Sequence, residues 1–350
     1  MKKSLLAGLF LSGLLLACST DVDVNAPYED VTVIFGLLDA SDTAQYIKVN
    51  KAFLGEDDAL IMASEEDSLY YAEGSLTVEL VEIINGNEVK TIALTRDESI
   101  EKDPGVFANP NQVLFKTTEA LNENARYALR VVKNGPDAIT STAETQLVQD
   151  FNFLSPLNNP SYKFNFTNRF SAASIPFQTA ENGRRYECTI RFHYVEENRA
   201  NRNDTIEKFI EWTLDPFEAD DLGGGRERSF SFPGSSFYKV VANRIQPDLT
   251  VWRHPKKVDV IIDVAGDEFS TYLDLNGPSS TIAQDKPEFS NIDNGVGLFS
   301  SRFQKVREGI AITGPSQDSL QCSEATQGLS FVTYEVIPAS NQVDTIFTCQ

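Results

Sequence analysis

Few residues in this chain could carry chemistry: two histidines, four cysteines and two tryptophans among 350 residues. His193 lies in a run where Cys188, Ile190, Phe192 and Tyr194 alternate with Thr189, Arg191 and His193, so it reads as a strand residue on the polar face. His254 lies far along the chain in Trp252-Arg253-His254-Pro255-Lys256-Lys257, which reads as a basic loop. Two distant histidines and four dispersed cysteines do not make a zinc ribbon, whose ligands come in close pairs. No metal and no cofactor are expected. A Ser-His-Asp triad is set by geometry rather than chain order, but the Gly-x-Ser-x-Gly elbow of α/β-hydrolases is absent. Asp215 and Glu218 are a carboxylate pair of the kind a glycosidase uses, and their service depends on spatial separation. Asp57-Asp58 and Glu65-Glu66-Asp67 lack the stepped ligands and glycine of a calcium loop, and read as a solvated face. Gly295-Val296-Gly297 follows a polar loop instead of joining a strand to a helix, so it is a weak phosphate cradle. Gly223-Gly224-Gly225 reads as a hairpin tip. Trp212 shares a face with Ile210 and Leu214 and is expected in the core. Trp252 and His254 are the candidate ligand contacts, Trp252 as an exposed ring able to stack on a sugar. No catalytic residue emerges.

The start of the chain says where such residues would work. Lys2 and Lys3 precede an almost wholly apolar run over 5–17, too short for a spanning helix, which needs about 20 apolar residues. A positive start followed by a short apolar run fits a secretory signal. The run ends in Leu15-Leu16-Ala17-Cys18, which resembles a bacterial lipobox. The resemblance implies cleavage before Cys18 and acylation of its thiol, with about 0.8 kcal/mol of membrane affinity for each buried CH₂. The alternative is an ordinary signal peptide with an incidental cysteine. Removing 1–17 takes away two lysines and no acid, moving the formal charge from −21 to −23. The chain would then be anchored to a membrane rather than crossing it. An acidic tether follows over 18–27. Its Asp21-Val22-Asp23 resembles the signal that exports Bacteroidota lipoproteins to the outer surface, and a solvated linker is the alternative. So strong a negative charge excludes nucleic acid as a partner, because phosphate binding needs a basic face.

From residue 28 the pattern has period two. Val31, Val33, Phe35 and Leu37 share a face; Ile47 and Val49 follow a turn; Leu76, Val78 and Leu80 alternate with Thr77 and Glu79. Asn85-Gly86 predicts a type I′ hairpin turn leading into a strand over 89–94. Strands over 113–115, near 125–132 and over 139–147 complete seven. Tyr127-x-Leu129-x-Val131 after a turn resembles the tyrosine corner of an immunoglobulin-like sandwich. The expectation is a mainly β protein: an immunoglobulin-like β-sandwich over 28–149, with an open barrel as alternative, then a second antiparallel β-rich domain with short helices over 150–350. In that second part, Ser235 or Ser236 is the expected cap of a helix carrying Phe237, Val240 and Val241, and Phe269, Tyr272 and Leu273 mark another helix after Asp267.

With Cys18 acylated, three cysteines remain. Cys322 and Cys349 flank a strand-like stretch over 329–337 and are expected to pair, leaving Cys188 free in the core; three buried thiols are the alternative. Asp followed by Ser or Thr and an apolar residue occurs at Thr43, Ser68, Thr205, Ser319 and Thr345. The pattern resembles the Bacteroidota periplasmic O-glycosylation motif. Turn-forming Asp-Ser/Thr pairs at the starts of strands are the alternative.

The lipobox at Cys18, the early strand over 31–38, the tyrosine-bearing strand over 125–132 and the run Phe289-Ser290-Asn291-Ile292-Asp293-Asn294-Gly295-Val296-Gly297-Leu298-Phe299 together resemble a family of Bacteroidota lipoproteins with a domain of unknown function. Its members are often encoded beside TonB-dependent outer-membrane receptors. The resemblance spans nearly the whole mature chain. It implies a lipid-anchored, cell-surface, non-catalytic binding or accessory protein of the outer membrane, partnered with a TonB-dependent transporter in nutrient uptake. It supplies no active-site residues. An envelope hydrolase acting on glycans or peptides, and a structural or adhesive envelope module, are the competing expectations.

Overall fold

The computed structural model describes residues 31–52, 59–105, 111–135, 138–156, 158–167, 173–276, 289–333 and 349. Cys18, the segments 1–17 and 18–27, and Thr345 lie outside the described residues. No helix among the described residues is long and apolar enough to cross a membrane.

The protein is mainly β, and its first part is an immunoglobulin-like sandwich. Seven strands, β1 (Val31–Leu38), β2 (Gln45–Ala52), β3 (Leu76–Ile84), β4 (Asn87–Asp97), β5 (Leu114–Thr117), β6 (Arg126–Lys133) and β7 (Thr140–Gln146), follow the period-two pattern. One sheet runs β4-β3-β6-β7 and the other β1-β2-β5. The long β4 joins them, pairing with β3 over residues 87–94 and with β5 over 95–97. Asn85 and Gly86 both have positive φ (51° and 78°), as a type I′ turn demands. Tyr127 is fully buried, and its phenolic oxygen accepts the Asn122 N–H at 2.7 Å, closing the tyrosine corner. In β1 the face of Val31, Val33, Phe35 and Leu37 is the outer one; Ile34 and Leu38 face the core. Gly36 shares that inner face because the Ile47 and Phe299 side chains fill the place of a β-carbon.

A single strand, β15 (Val296–Ile312), serves both halves of the protein. Residues 296–301 run parallel to β1, and residues 302–311 pair antiparallel with β14 (Val251–Ala265). The chain has two cores, and Val148, on the early side of the expected division at 149/150, already belongs to the second. One gathers residues 34–147 with Ile292 and Phe299, and the other gathers residues 148–331. The later part of the chain therefore completes the earlier core.

The second core forms beneath a sheet of β10 (Arg185–Asn198), β11 (Thr205–Thr213), β14 and the end of β15. Tyr186, Cys188, Ile190, Phe192 and Tyr194 all bury their side chains on one face. Opposite them lie a two-stranded sheet, β9 (Ala173–Gln178) with β13 (Glu227–Phe232), and the helix α3 (Gly234–Arg244). Two short helices, α1 (Ala59–Ser64) and α2 (Glu66–Leu69), lie in the β2–β3 connection, where a short helical turn is expected. The cap of α3 is Pro233, not Ser235 or Ser236. The helix starts earlier because Gly234 slips under Phe166, where a β-carbon would stand 1.8 Å from the Phe166 oxygen. The second expected helix, α4 (Asp267–Asn276), carries Asp267 and Glu268 in its first turn, where the helix dipole favours them. The basic run at Trp252 is strand, not loop: it opens β14. Pro255 is tolerated in the β15 ladder because β15 pairs with β14 only from Lys257 onward. The expected strand over 329–337 is represented by a 3₁₀ turn (Gln327–Leu329) and a bridge from Phe331 to Arg253; residues beyond 333 lie outside the described set apart from 349.

Candidate functional site

A groove of about 580 Å³ lies between the end of β11 and β13. Trp212 is half-buried rather than sealed in the core, and meets Phe232 edge-on at 4.8 Å between ring centres. Phe217 stacks on Tyr186 at 5.1 Å and meets Phe230 at 5.2 Å, which fixes its ring as part of the groove wall. Asp215 is exposed on the rim. Arg228 also lines the groove, held by Asp220 at 2.8 Å. An apolar wall with a few polar groups is the usual make-up of a ligand site. Of these residues the sequence reading singled out Trp212 and Asp215. Phe217, Phe230 and Phe232 were missed, although the Ser-Phe-Ser-Phe alternation over 229–232, ahead of Pro233-Gly234, marks a strand.

Asp215 and Glu218 have different surroundings. Asp215 faces the groove, whereas Glu218 accepts from the Ser270 hydroxyl at 2.6 Å and lies 3.6 Å from Arg185, against α4.

Trp252 and His254 are brought together on one face of β14, into a cluster that satisfies itself. The guanidinium carbons of Arg199 and Arg202 sit 5.5 and 5.4 Å from the centre of the Trp252 ring, where a sugar would otherwise stack. His254 Nε2 lies 2.9 Å from Glu197 Oε2, and Glu197 also accepts from Arg202 at 2.8 Å. On the other face of the strand Arg253 is buried, donating to Glu196 at 2.9 Å and to the carbonyls of Leu329 and Gln246. Burial works against the Glu196 carboxylate, but hydrogen bonds from Lys208 and Arg253 outweigh it and lower its pKa below the usual 4.5.

His193 sits on the open face of the second sheet with its Nε2 2.7 Å from Asp259 Oδ2. Asp259 is buried and also accepts the Gly309 N–H at 2.7 Å. Burial pushes the Asp259 pKa up, and the bonds from Gly309 and His193 more than reverse it, leaving it below 3.8. The pair resembles the base and orienting acid of a triad, but no serine or threonine hydroxyl meets His193 among the described residues.

Cys322 and Cys349 are joined in a disulfide, and Cys188 is free and buried. Thr43 is exposed in the β1–β2 turn, and Thr205 is exposed at the start of β11. Ser68 lies in α2 and Ser319 in α5 (Gly314–Cys322), both half-buried. Among the described residues no group of three or more His, Cys, Asp or Glu side chains is arranged to hold a metal.

The run over 289–299 is tied to the main chain. Asn291 donates to the Phe299 carbonyl at 2.6 Å and accepts its N–H at 2.9 Å, and the Asn294 side chain donates to the Thr140 carbonyl at 3.1 Å. Asp293 bridges Thr142 of β7. The run fastens β15 between β1 and β7.

No family model matches this chain, and no curated protein matches it. Among solved structures it is similar to the C-terminal globular domain of the oligosaccharyltransferase from Pyrococcus abyssi, at 10% identity and a TM-score of 0.26. The match covers 68% of this chain and 49% of that one, so this chain spans about half the length of that structure.

Proposed function

We propose that this chain is an outer-membrane protein anchored through lipid on Cys18 and displayed at the cell surface, where it binds a ligand or partner without transforming it and serves a TonB-dependent transporter in uptake. The observation that carries this reading is the bond between Cys322 and Cys349. Structural disulfides persist in oxidising compartments, which supports an envelope destination for the signal ending at Cys18. The groove beside Trp212 supports binding. The engagement of Glu218 by Ser270 and Arg185 and the self-satisfied cluster around His254 argue for binding over hydrolysis.

Fractionation of cells expressing the full chain or its Cys18→Ala variant tests the reading, together with protease shaving of intact cells and recovery of partners in mild detergent. The reading expects the wild type in the outer membrane, cleaved by external protease and recovered with a transporter, and the variant released from the membrane. Wild-type protein found in the cytoplasm, or alone in the membrane with no transporter, would contradict it.

A further inference from the structure

The sheet of β9 and β13 has one edge in use and one open. On β9 the Pro176 carbonyl accepts from the amides of Leu154 (2.9 Å) and Ser155 (3.1 Å), and the Gln178 amide donates to Asn152 (2.9 Å). Those groups point away from β13. One step beyond, the Thr179 amide donates toward Arg226 at 2.8 Å. Antiparallel neighbours alternate between pairs that exchange both hydrogen bonds and pairs that exchange none. The register Glu227↔Gln178, Ser229↔Pro176, Ser231↔Ser174 is therefore the non-exchanging set, as Pro176, lacking an N–H, requires. The main-chain N–H and C=O of Glu227, Ser229 and Ser231 thus point outward from the far side of β13. Among the described residues no strand pairs with that side.

That open edge is the wall of the groove. Successive side chains of a strand take opposite faces, yet residues 228–233 all line the cavity, so the groove runs along the edge rather than over a face. Trp212 and Phe217 also line the groove, their rings packed on Phe232 and Phe230. No bulge and no proline interrupts β13 between Glu227 and Phe232, so the edge lacks two of the usual devices that prevent pairing. The charge available is negative: Asp215 carries no ion pair among the described residues, whereas Arg226 and Arg228 are neutralised by Asp221 and Asp220. The whole chain has a net charge of −21, which disfavours an acidic ligand.

We infer that the free edge of β13 is a strand-addition site for an extended, cationic peptide segment of a partner protein. The segment becomes the third strand of the β9–β13 sheet, bonding to the main chain at Ser229 and Ser231. Its apolar side chains, at alternate positions, lie against Trp212 and Phe217, and a lysine or arginine reaches Asp215. Main-chain bonds supply affinity in this mode and alternate side chains supply selectivity. The site does not depend on lipid at Cys18.

The probe is a blocked heptapeptide with valine at alternate positions, threonine between them and one lysine, added to the full-length protein. Calorimetry and amide hydrogen exchange are the readouts. The proposal expects saturable binding and slowed exchange at Ser229 and Ser231. It expects affinity to fall at least about tenfold when alternate peptide amides are N-methylated, roughly the worth of one or two hydrogen bonds. Ser231→Pro should weaken binding similarly, since it deletes an outward N–H and spares the ladder to β9. Asp215→Asn should weaken the lysine peptide and leave a norleucine analogue unaffected. Equal binding of the N-methylated peptide, binding of a neutral oligosaccharide in place of the peptide, or no binding by the heptapeptide would each overturn the proposal. Should Ser231→Pro fail to fold, the N-methyl comparison on unaltered protein decides.

Discussion

Gly297 lies so close to Ile34 that a β-carbon on it would stand 1.9 Å from the Ile34 carbonyl oxygen, and its φ is +128°. The contact lets β15 lie parallel to β1 with Ile34 and Gly297 in register. Alanine at 297 meets both the clash and the backbone strain. Gly297→Ala is expected to lower stability by about 3 kcal/mol or more, with the amides of β1 and residues 296–301 losing hydrogen-exchange protection first. Unchanged thermal unfolding would show that β15 is not fixed through this contact.

Tyr127 is a second fastening point. Phenylalanine there keeps the ring and deletes the acceptor of the Asn122 N–H. Leaving that donor unpaired should cost about 1–3 kcal/mol, read by urea denaturation, with little change in the circular dichroism of the native state.

The disulfide closes a segment of sequence separation 27. On a chain-entropy account it contributes about 3.5 kcal/mol, so the double variant Cys322→Ser with Cys349→Ser should unfold at lower temperature by a corresponding amount. Cys188 offers an internal control. Burial pushes its thiol pKa far up, with further upward contributions from Asp263 and Glu187. Iodoacetamide is expected to label no cysteine of the folded, unreduced mature protein and to label Cys188 once it is unfolded.

Acid should weaken the second core. Asp259 and Glu196 both have folded pKa values lowered from 3.8 and 4.5. A carboxylate lowered on folding contributes stability above its unfolded pKa and loses it as pH falls through the folded value. The melting temperature should therefore hold near neutrality and drop as pH falls below about 4.5. His193→Ala removes one donor to Asp259, so that carboxyl is depressed less and the variant should lose less stability on acidification than wild type does. Superimposable profiles would show that the pair contributes nothing.

Much of the first sandwich is legible because each strand carries its own signal. Leu76, Val78 and Leu80 alternate with Thr77 and Glu79, Asn85-Gly86 can adopt the positive φ of a tight turn, and Tyr127 follows a turn at the start of its strand. What the sequence hides is pairing between distant segments. Residues 297–301 are buried in succession, because β15 is covered on both sides there, so no alternation announces the strand or its parallel partner. Trp252 reads as a loop residue because Pro255 and three basic residues surround it, and only the early end of β15 makes a strand permissible. The groove arises from two strand edges, and side-chain patterns report faces rather than edges.

The most direct test of the account is the mass of the amino-terminal peptide of protein purified from native membranes. The account predicts that it begins at Cys18 and carries acyl chains on that residue. A peptide beginning at Met1, or an unmodified Cys18, would contradict it.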